Sequence, residues 1–170
     1  MRKSFITFSA ALAFTAIAHA ASQDDDFLAA REAFRVGDAV KLERYAKSLN
    51  GYILEPYVAH WRLKLRLEDA APDEVRALLA RVNDGPVSNS LRADWLKALG
   101  MRRQWDLFDA EYPQLIGEDT ELLCYSLQSR LHAGDAAALS YARTLWFTGR
   151  DLPDSCNALF DALVEHGRLT

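Results

Sequence analysis

Glycines recur at the ends of the predicted helices with a nearly constant spacing. Gly100, Gly134 and Gly167 are 34 and 33 residues apart, and Gly37 lies 63 residues before Gly100. An aspartate follows both Gly37 and Gly134, so the glycine ends one helix in left-handed backbone and the aspartate caps the next. A period of 31 to 34 residues with two helices per unit predicts an all-α fold, an α-solenoid of antiparallel, tetratricopeptide-like helix pairs. An irregular helical bundle is the alternative.

Capping residues, prolines, glycines and apolar spacing predict nine helices. Their expected ranges are 24–36, 38–49, 56–68, 72–82, 88–100, 104–112, 120–134, 135–149 and 154–166, with N-caps at Asp38, Ser88 or Ser90, Thr120, Asp135, and Asp154 or Ser155.

One of these segments, 61–67, alternates apolar and basic residues, which is the period of a half-buried strand. We predict helix because no second strand is available to satisfy its backbone groups. In addition, Tyr57, Trp61 and Leu65 are spaced by four residues, as on one face of a helix.

The first twenty residues have the features of a secretory signal peptide. Arg2 and Lys3 precede an uncharged, largely apolar run of fourteen residues, and a small-x-small sequence ends at Ala20. As a helix that run rises about 21 Å, which is short of the ~30 Å core of a bilayer. We expect cleavage after Ala20, leaving residues 21–170 as one soluble periplasmic α-superhelical domain of about four helix pairs. A short N-terminal core helix is the alternative.

The charge balance argues against nucleic acid as a partner. Removal of residues 1–20 takes away two of the 20 basic residues, which leaves 18 against 24 acidic ones and a formal net charge of −6. Affinity for phosphate backbones depends on clustered lysine and arginine. We therefore expect no nucleic-acid partner, and the short apolar run predicts no membrane span.

The two cysteines are expected to form a disulfide. Cys124 lies ten residues before Gly134, and Cys156 lies eleven before Gly167, so both occupy nearly the same place on the first helix of successive repeats. First helices of neighbouring repeats are adjacent in a solenoid, and an exported chain folds in an oxidising compartment. Metal binding is the rival interpretation, but two thiols without nearby histidines supply too few ligands.

No residue pattern predicts a catalytic, cofactor-binding or metal site. His60, His132 and His166 each stand alone in a helix and are expected at the surface or at helix ends. We interpret the acidic clusters as charges that open helices and complement the helix dipole, rather than as a catalytic acid pair. These clusters lie at 24–26, at Asp109 and Glu111, and at 118–121. Neither a Gly-x-Ser-x-Gly elbow nor a glycine-rich phosphate loop occurs in the sequence.

The tryptophans and four of the tyrosines allow two interpretations. Aromatic residues at helical spacing usually fill gaps between stacked helices, and we favour that reading over a sugar-binding groove. The residues are Trp61, Trp95, Trp105, Trp146, Tyr52, Tyr57, Tyr125 and Tyr141.

Residues 145–160 read Leu-Trp-Phe-Thr-Gly-Arg-Asp-Leu-Pro-Asp-Ser-Cys-Asn-Ala-Leu-Phe. The order of Leu-Trp, Thr-Gly, Pro, Cys and Leu-Phe resembles the N-terminal superhelical domain of soluble lytic murein transglycosylases. Tyr52, Pro56 and Trp61 resemble the Tyr- and Pro-rich helix entry of that family, although Ile53 stands where the family often has proline. The spacing of the two cysteines also matches the usual cysteine pair of the family.

The resemblance implies a function in the cell wall. In that family a ring of helices carries a lysozyme-like domain that cleaves peptidoglycan between N-acetylmuramic acid and N-acetylglucosamine and leaves a 1,6-anhydro end. The catalytic Glu-Ser motif of the family and its Gly-Leu-Met-Gln and Ala-Tyr-Asn-Ala-Gly elements do not occur in this sequence. No catalytic residue is carried over, and we expect a chain that ends before the catalytic domain, through a gene break, an incomplete record or divergence.

Two functions follow as hypotheses. The first is a periplasmic scaffold that guides peptidoglycan strands for a catalytic domain and is inactive alone. The second is a stand-alone periplasmic adaptor that binds a protein partner on the concave face of a solenoid.

Overall fold

The computed structural model describes residues 12–83 and 85–167, with side chains described from Gln23 onward. Within these ranges the chain forms nine α-helices and two 3-10 turns, and no strand occurs. The all-α prediction is therefore confirmed. The α-helices are α1 (Leu12–Arg35), α2 (Ala39–Ser48), α3 (Glu55–Lys64), α4 (Pro72–Val82), α5 (Pro86–Met101), α6 (Trp105–Glu111), α7 (Thr120–His132), α8 (Ala137–Trp146) and α9 (Asn157–Glu165), and the 3-10 turns are Tyr112–Gln114 and Asp154–Cys156.

The chain divides after Arg66 into two compact units, and the first is built from α1, α2 and α3. Each of these helices packs on the other two. Ala30 and Ala33 are three residues apart, so they lie on one face of α1, and both are fully buried there. Small and aliphatic side chains thus form the centre of the unit, and larger rings pack around them. The surrounding rings are those of Phe27, Phe34, Tyr45, Tyr52 and Trp61.

The second unit, from Leu67 onward, contains α4 to α9. Its longest helix, α5, packs on α4, α6 and α7. Leu91, Trp95 and Leu99 follow one another at four-residue steps and are all buried, so one stripe of α5 faces inward. A separate cluster is formed by α7, α8 and α9, and Leu127 and Leu159 are fully buried within it.

Three helix ends share one hydrogen-bonding pattern. At each, the amide of a left-handed residue donates to the carbonyl three residues back, and the next amide donates to the carbonyl five residues back, at 2.9 to 3.0 Å. These two bonds are the Schellman motif. The left-handed residue is Gly37 (φ 74°) after α1 and Gly134 (φ 88°) after α7, but Arg103 (φ 54°) after α5.

The prediction that Gly100 ends a helix is therefore wrong. Gly100 lies inside α5, where it is buried against the ring of Tyr125 in α7. A Cβ atom added at Gly100 would lie 2.4 Å from Cγ of Tyr125, which is far inside van der Waals contact. Glycine at this position permits the close approach of α5 and α7, whereas the change of chain direction occurs at Arg103.

Two predicted helix starts, those of α2 and α4, are confirmed, whereas those of α5 and α7 are among the ones that are shifted. Asp38 caps α2 by accepting a hydrogen bond from the Lys41 amide at 2.8 Å, and α4 begins at Pro72. The cap of α7 is Asp119 rather than Thr120, because the Asp119 side chain accepts a hydrogen bond from the backbone amide of Leu122. The start of α5 at Pro86 precedes the predicted one, since a proline fits the first turn of a helix.

Several predicted helix ends lie too far along the chain. The segment 61–67 is helical only to Lys64 and then continues as turns, so α3 is shorter than predicted and the strand alternative is wrong. The end of α8 is Trp146 rather than a position near Gly149. The residues at 154–156 form a 3-10 turn, and α9 starts only at Asn157.

The predicted signal peptide, residues 1–20, lies partly outside the described residues, which begin at Leu12. The backbone of α1 runs without a break from Leu12 through Ala20 to Arg35, so it begins before the predicted helix start at Asp24. Cleavage after Ala20 stays a prediction. Within the described part of the chain, no helix combines the length and apolar character needed to cross a membrane.

Candidate functional site

A buried carboxylate lies where side chains of α4, α5 and α6 meet. The side chain of Glu111, the last residue of α6, is only 7% exposed. Arg92 of α5 donates from Nη1 to one carboxylate oxygen at 2.6 Å, and Arg76 of α4 donates from Nε to the other at 3.0 Å. Burial of a carboxylate is costly unless it is paired and hydrogen-bonded. The two guanidinium groups therefore make the burial of Glu111 possible and link three helices.

A pocket of about 480 Å³ opens beside these three residues, which we call the ionic triad. Besides the triad, its lining combines two amide side chains with two apolar ones, namely Asn83, Gln114, Leu79 and Ala80. The backbone of Asn83 is left-handed, with φ 52°, a conformation that few non-glycine residues adopt. The pocket thus combines cationic, amide and apolar groups.

The ionic triad is suited to binding rather than to bond cleavage. General acid catalysis needs a carboxyl group whose oxygen faces the reacting bond within hydrogen-bonding reach. Both oxygens of Glu111 already accept hydrogen bonds from guanidinium groups. Neither oxygen is therefore placed to serve a substrate.

Sequence reasoning did not single out Arg76 or Arg92. Their partner Glu111 is 35 residues from the first and 19 from the second, so the triad exists only in the folded chain. A local signal was present, because each arginine directly follows a fully buried residue, Val75 or Leu91. An arginine beside a buried helix position lies at the edge of the core, where an ionic partner is needed.

The acidic clusters predicted to open helices do so at only one of three places. The group at 118–121 surrounds the start of α7, as predicted. The residues at 24–26 lie inside α1, because that helix begins earlier than predicted. Asp109 and Glu111 lie in the last turn of α6, so the interpretation of this pair as helix-opening charge is wrong.

The cap of α7 is held by a lysine of α5. The Lys97 ammonium lies 2.5 Å from Asp119 and 2.9 Å from Glu121. Burial acts to raise the pKa of Asp119, but hydrogen bonds from Lys97 and from the Leu122 amide outweigh it and lower that pKa below its usual value. This acidic cluster therefore has a structural role.

The three histidines that follow residue 20 differ in how far they are exposed to solvent. His132 and His166 are exposed at helix ends, as predicted. His60 is only 7% exposed, so the expectation of a surface position is wrong for it. It lies on the buried face of α3, in the first unit. That face also carries Leu63.

The aromatic residues divide between the two interpretations. Trp95 and Tyr125 are buried in the second unit, so the packing interpretation holds for them. Tyr57, Tyr141 and Trp146 are 38%, 59% and 45% exposed, although the Trp146 ring still packs edge-on against Phe160 at a centroid distance of 4.9 Å. Trp105 lines a further pocket of about 430 Å³ in the second unit. The other residues around it are Arg103, Gln128, Leu131, His132 and Ala158.

The structure places the sulfurs of Cys124 and Cys156 within bonding distance, 1.97 Å apart, with their Cα atoms separated by 5.0 Å. Cys124 lies in α7, but Cys156 ends the 3-10 turn that precedes α9, so only the first is on an α-helix as predicted. Both residues are fully buried in the cluster formed by α7, α8 and α9. In residues 12–83 and 85–167, no group of three or more histidine, cysteine or acidic side chains is placed to hold a metal ion.

The helices, their Schellman turns and their pairwise packing define the class of this protein, an all-α solenoid. Part of each of several solved lytic transglycosylase structures has a similar fold. The chain is similar to the lytic transglycosylase Slt of Pseudomonas aeruginosa, solved as an inactive mutant, with 32% identity, a TM-score of 0.67, and coverage of 85% of this chain and 24% of that one.

Two further matches show the fold alone. The 70-kDa soluble lytic transglycosylase of Escherichia coli is 22% identical with a TM-score of 0.67, and a complex of the 70-kDa soluble lytic transglycosylase with bulgecin A is 21% identical with a TM-score of 0.66. Each match covers 86% of this chain and 24% of the other. No protein-family model and no curated protein matches the chain.

The resemblance stated from residues 145–160 is thereby confirmed, and so is the solenoid fold class. The chain spans about a quarter of the length of the structures that it matches.

Proposed function

We propose that this chain is a helical scaffold that acts in peptidoglycan cleavage of the lytic transglycosylase type. The observation that carries the proposal is the 32% identity with the Slt protein over 85% of the chain. The proposed role is to hold or guide glycan strands while a separate catalytic part cuts them.

Two features of the site support a scaffold rather than an enzyme. The most buried acidic side chain described, Glu111, is occupied by two guanidinium groups. The sequence also lacks the Glu-Ser motif on which the family resemblance places catalysis. Glycoside cleavage requires a carboxylic acid that donates its proton to the glycosidic oxygen, and a carboxylate whose two oxygens both accept from guanidinium groups is not placed to do so.

The test is to incubate the purified protein with peptidoglycan sacculi and to measure two quantities. Co-sedimentation reports binding, and mass spectrometry of the supernatant reports 1,6-anhydromuropeptides. We expect binding without release, with a complete lytic transglycosylase as the positive control for release. Release that disappears when one aspartate or glutamate is changed would contradict the scaffold role. Absence of co-sedimentation would favour an adaptor for a protein partner instead.

The periplasmic location is part of the same proposal, and it rests on the sequence of the first twenty residues. N-terminal sequencing of periplasmic protein should begin at Ala21. Recovery of the chain with Met1 intact in the membrane fraction would contradict export and cleavage.

A further inference from the structure

The pocket beside the ionic triad has a positive charge balance. Of the described residues that line it, Arg76 and Arg92 are cationic and Glu111 is anionic. Asp73 approaches Arg76 at 3.6 Å, but its side chain is 97% exposed, and an ion pair of that kind is weak in water. Among the described residues, the lining therefore carries about one positive charge that no buried carboxylate balances.

The guanidinium groups are already arranged for a carboxylate. Glu111 occupies one N–H of each arginine, and a guanidinium carries five N–H donors in a fixed plane. The side chain of Arg76 is 44% exposed, so part of its donor set is open to solvent in the pocket. A guanidinium plane matches a carboxylate better than it matches a neutral group.

The remaining lining indicates what else the ligand carries. Asn83 and Gln114 present amide groups, which pair with other amides as donors and acceptors. Leu79 and Ala80 present apolar surface that favours a small apolar substituent. A group that combines a carboxylate, an amide and a methyl-sized side chain is the end of a short peptide or an N-acylated small amino acid.

We infer that the pocket formed by α4, α5 and α6 binds the free carboxylate end of an acylated small amino acid or short peptide, through Arg76 and Arg92. The inference goes beyond the proposed scaffold role and does not depend on it. In the bound state the ligand carboxylate receives hydrogen bonds from the N–H groups that Glu111 leaves unused. Glu111 then acts as an internal competitor, because its negative charge reduces the attraction of the pocket for a second anion.

The experiment is isothermal titration of the purified protein with N-acetylalanine, N-acetylalaninamide and inorganic phosphate. N-acetylalanine should bind with a Kd in the millimolar range expected of so small a ligand. The amide lacks the charge and should not bind measurably. Equal binding of the amide, no binding of N-acetylalanine, or tighter binding of phosphate would each overturn the inference.

Three variants locate the site. Arg76→Gln should weaken binding of N-acetylalanine about tenfold, which corresponds to about 1.4 kcal/mol. Arg62→Gln is the matched control in the first unit, because Arg62 is 43% exposed and also donates to a glutamate, at 2.7 Å. It should leave binding unchanged. Equal losses in the two variants would show that the ligand binds to surface arginines in general.

Glu111→Gln should change the affinity for N-acetylalanine in the opposite direction. Removal of the internal carboxylate leaves both guanidinium charges to the ligand, so binding should become tighter. Weaker binding by a folded Glu111→Gln protein would contradict the proposed competition. If circular dichroism shows that this variant does not fold, the ligand series and the Arg76→Gln comparison decide the question alone. Because the assay contains no sacculi, its failure leaves the scaffold proposal to its own test.

Discussion

The three helices of the first unit and the last three helices of the second solve the same problem by different means. Every helix in both groups except α1 has 13 residues or fewer, too short to be stable in isolation. In the first unit, aromatic rings fill the spaces between helices. Trp61 lies 5.3 Å from Phe27 and is stacked on Phe34 at 5.6 Å, measured between ring centroids. In the second, leucines surround a buried disulfide.

The difference teaches how strongly each group depends on single contacts. Ring packing spreads its free energy over a large area, and each aromatic pair adds only about 0.5–1.5 kcal/mol beyond burial. A disulfide joins two defined points and acts largely by restricting the unfolded chain. We therefore expect the helices α7 to α9 to respond to removal of the disulfide, and α1 to α3 to respond mainly to loss of the Trp61 ring, which contacts two other rings.

The largest expected effect is removal of the disulfide. Changing Cys124 and Cys156 to alanine should lower the free energy of unfolding by about 3–4 kcal/mol, given a loop of this length. Hydrogen exchange should show the loss of protection in α7, α8 and α9. Equal loss in α1 to α3 would contradict the contrast between the two groups. The expectation also requires that the unreduced protein yields one disulfide-linked peptide pair in mass spectrometry.

The next effect concerns Trp61. Replacement by alanine should cost about 3 kcal/mol, because a large partly buried ring is lost together with its contacts to Phe27 and Phe34. Urea unfolding measures the change. Trp146→Ala is the control of the same chemistry, and it should cost less because Trp146 is 45% exposed. A larger loss in the control would show that ring packing is not what distinguishes the first unit.

A smaller effect is expected at the contact between α5 and α7. Gly100→Ala should cost about 2 kcal/mol, because the added methyl group must displace the Tyr125 ring from its packed position. Gly85→Ala is the control, since its backbone is extended and no atom lies within 4 Å of the added carbon. The comparison fails if the two alanine variants have the same midpoint in urea.

The smallest effect is confined to alkaline pH. Burial, followed by a hydrogen bond to Glu118, raises the pKa of Tyr112 from 10.0 to about 12. The contribution of Tyr112 to stability is therefore fully present below pH 10 and is lost as the pH rises toward 12. Tyr112→Phe should remove this part of the alkaline loss in a stability–pH curve. Tyr141→Phe, which removes the hydroxyl of a ring that is 59% exposed, is the matched control for the substitution itself.

Local sequence was sufficient for much of the fold. The range of α4 agrees with its prediction, because a proline starts the helix and apolar residues recur on one face. The cap at Asp38 follows from side-chain geometry within three residues. The Schellman turns at Gly37 and Gly134 were equally visible, since glycine accepts positive φ without strain.

The failures at Gly100 and at the ionic triad have one cause, which is contact between distant residues. Gly100 has the same local signal as a helix stop, but its role is set by Tyr125 across the interface with α7. The left-handed Arg103 could not be foreseen, because arginine has no local preference for that conformation. The ionic triad joins side chains from three helices, and Arg76 and Arg92 lie 35 and 19 residues from Glu111, outside any short sequence window.

The disulfide also changes how the chain is connected, apart from how stable it is. Cys124 and Cys156 are 32 residues apart, and the bond between them closes a covalent ring that contains the whole of α8. A peptide bond cut between these cysteines opens the ring but releases no fragment, so the nicked molecule keeps its full mass until it is reduced. A cut in the turn between α2 and α3 has no such covalent tie and yields two separable pieces once the helices unfold. Damage by proteases in the oxidising compartment proposed for this protein would thus be hidden in one region and visible in the other.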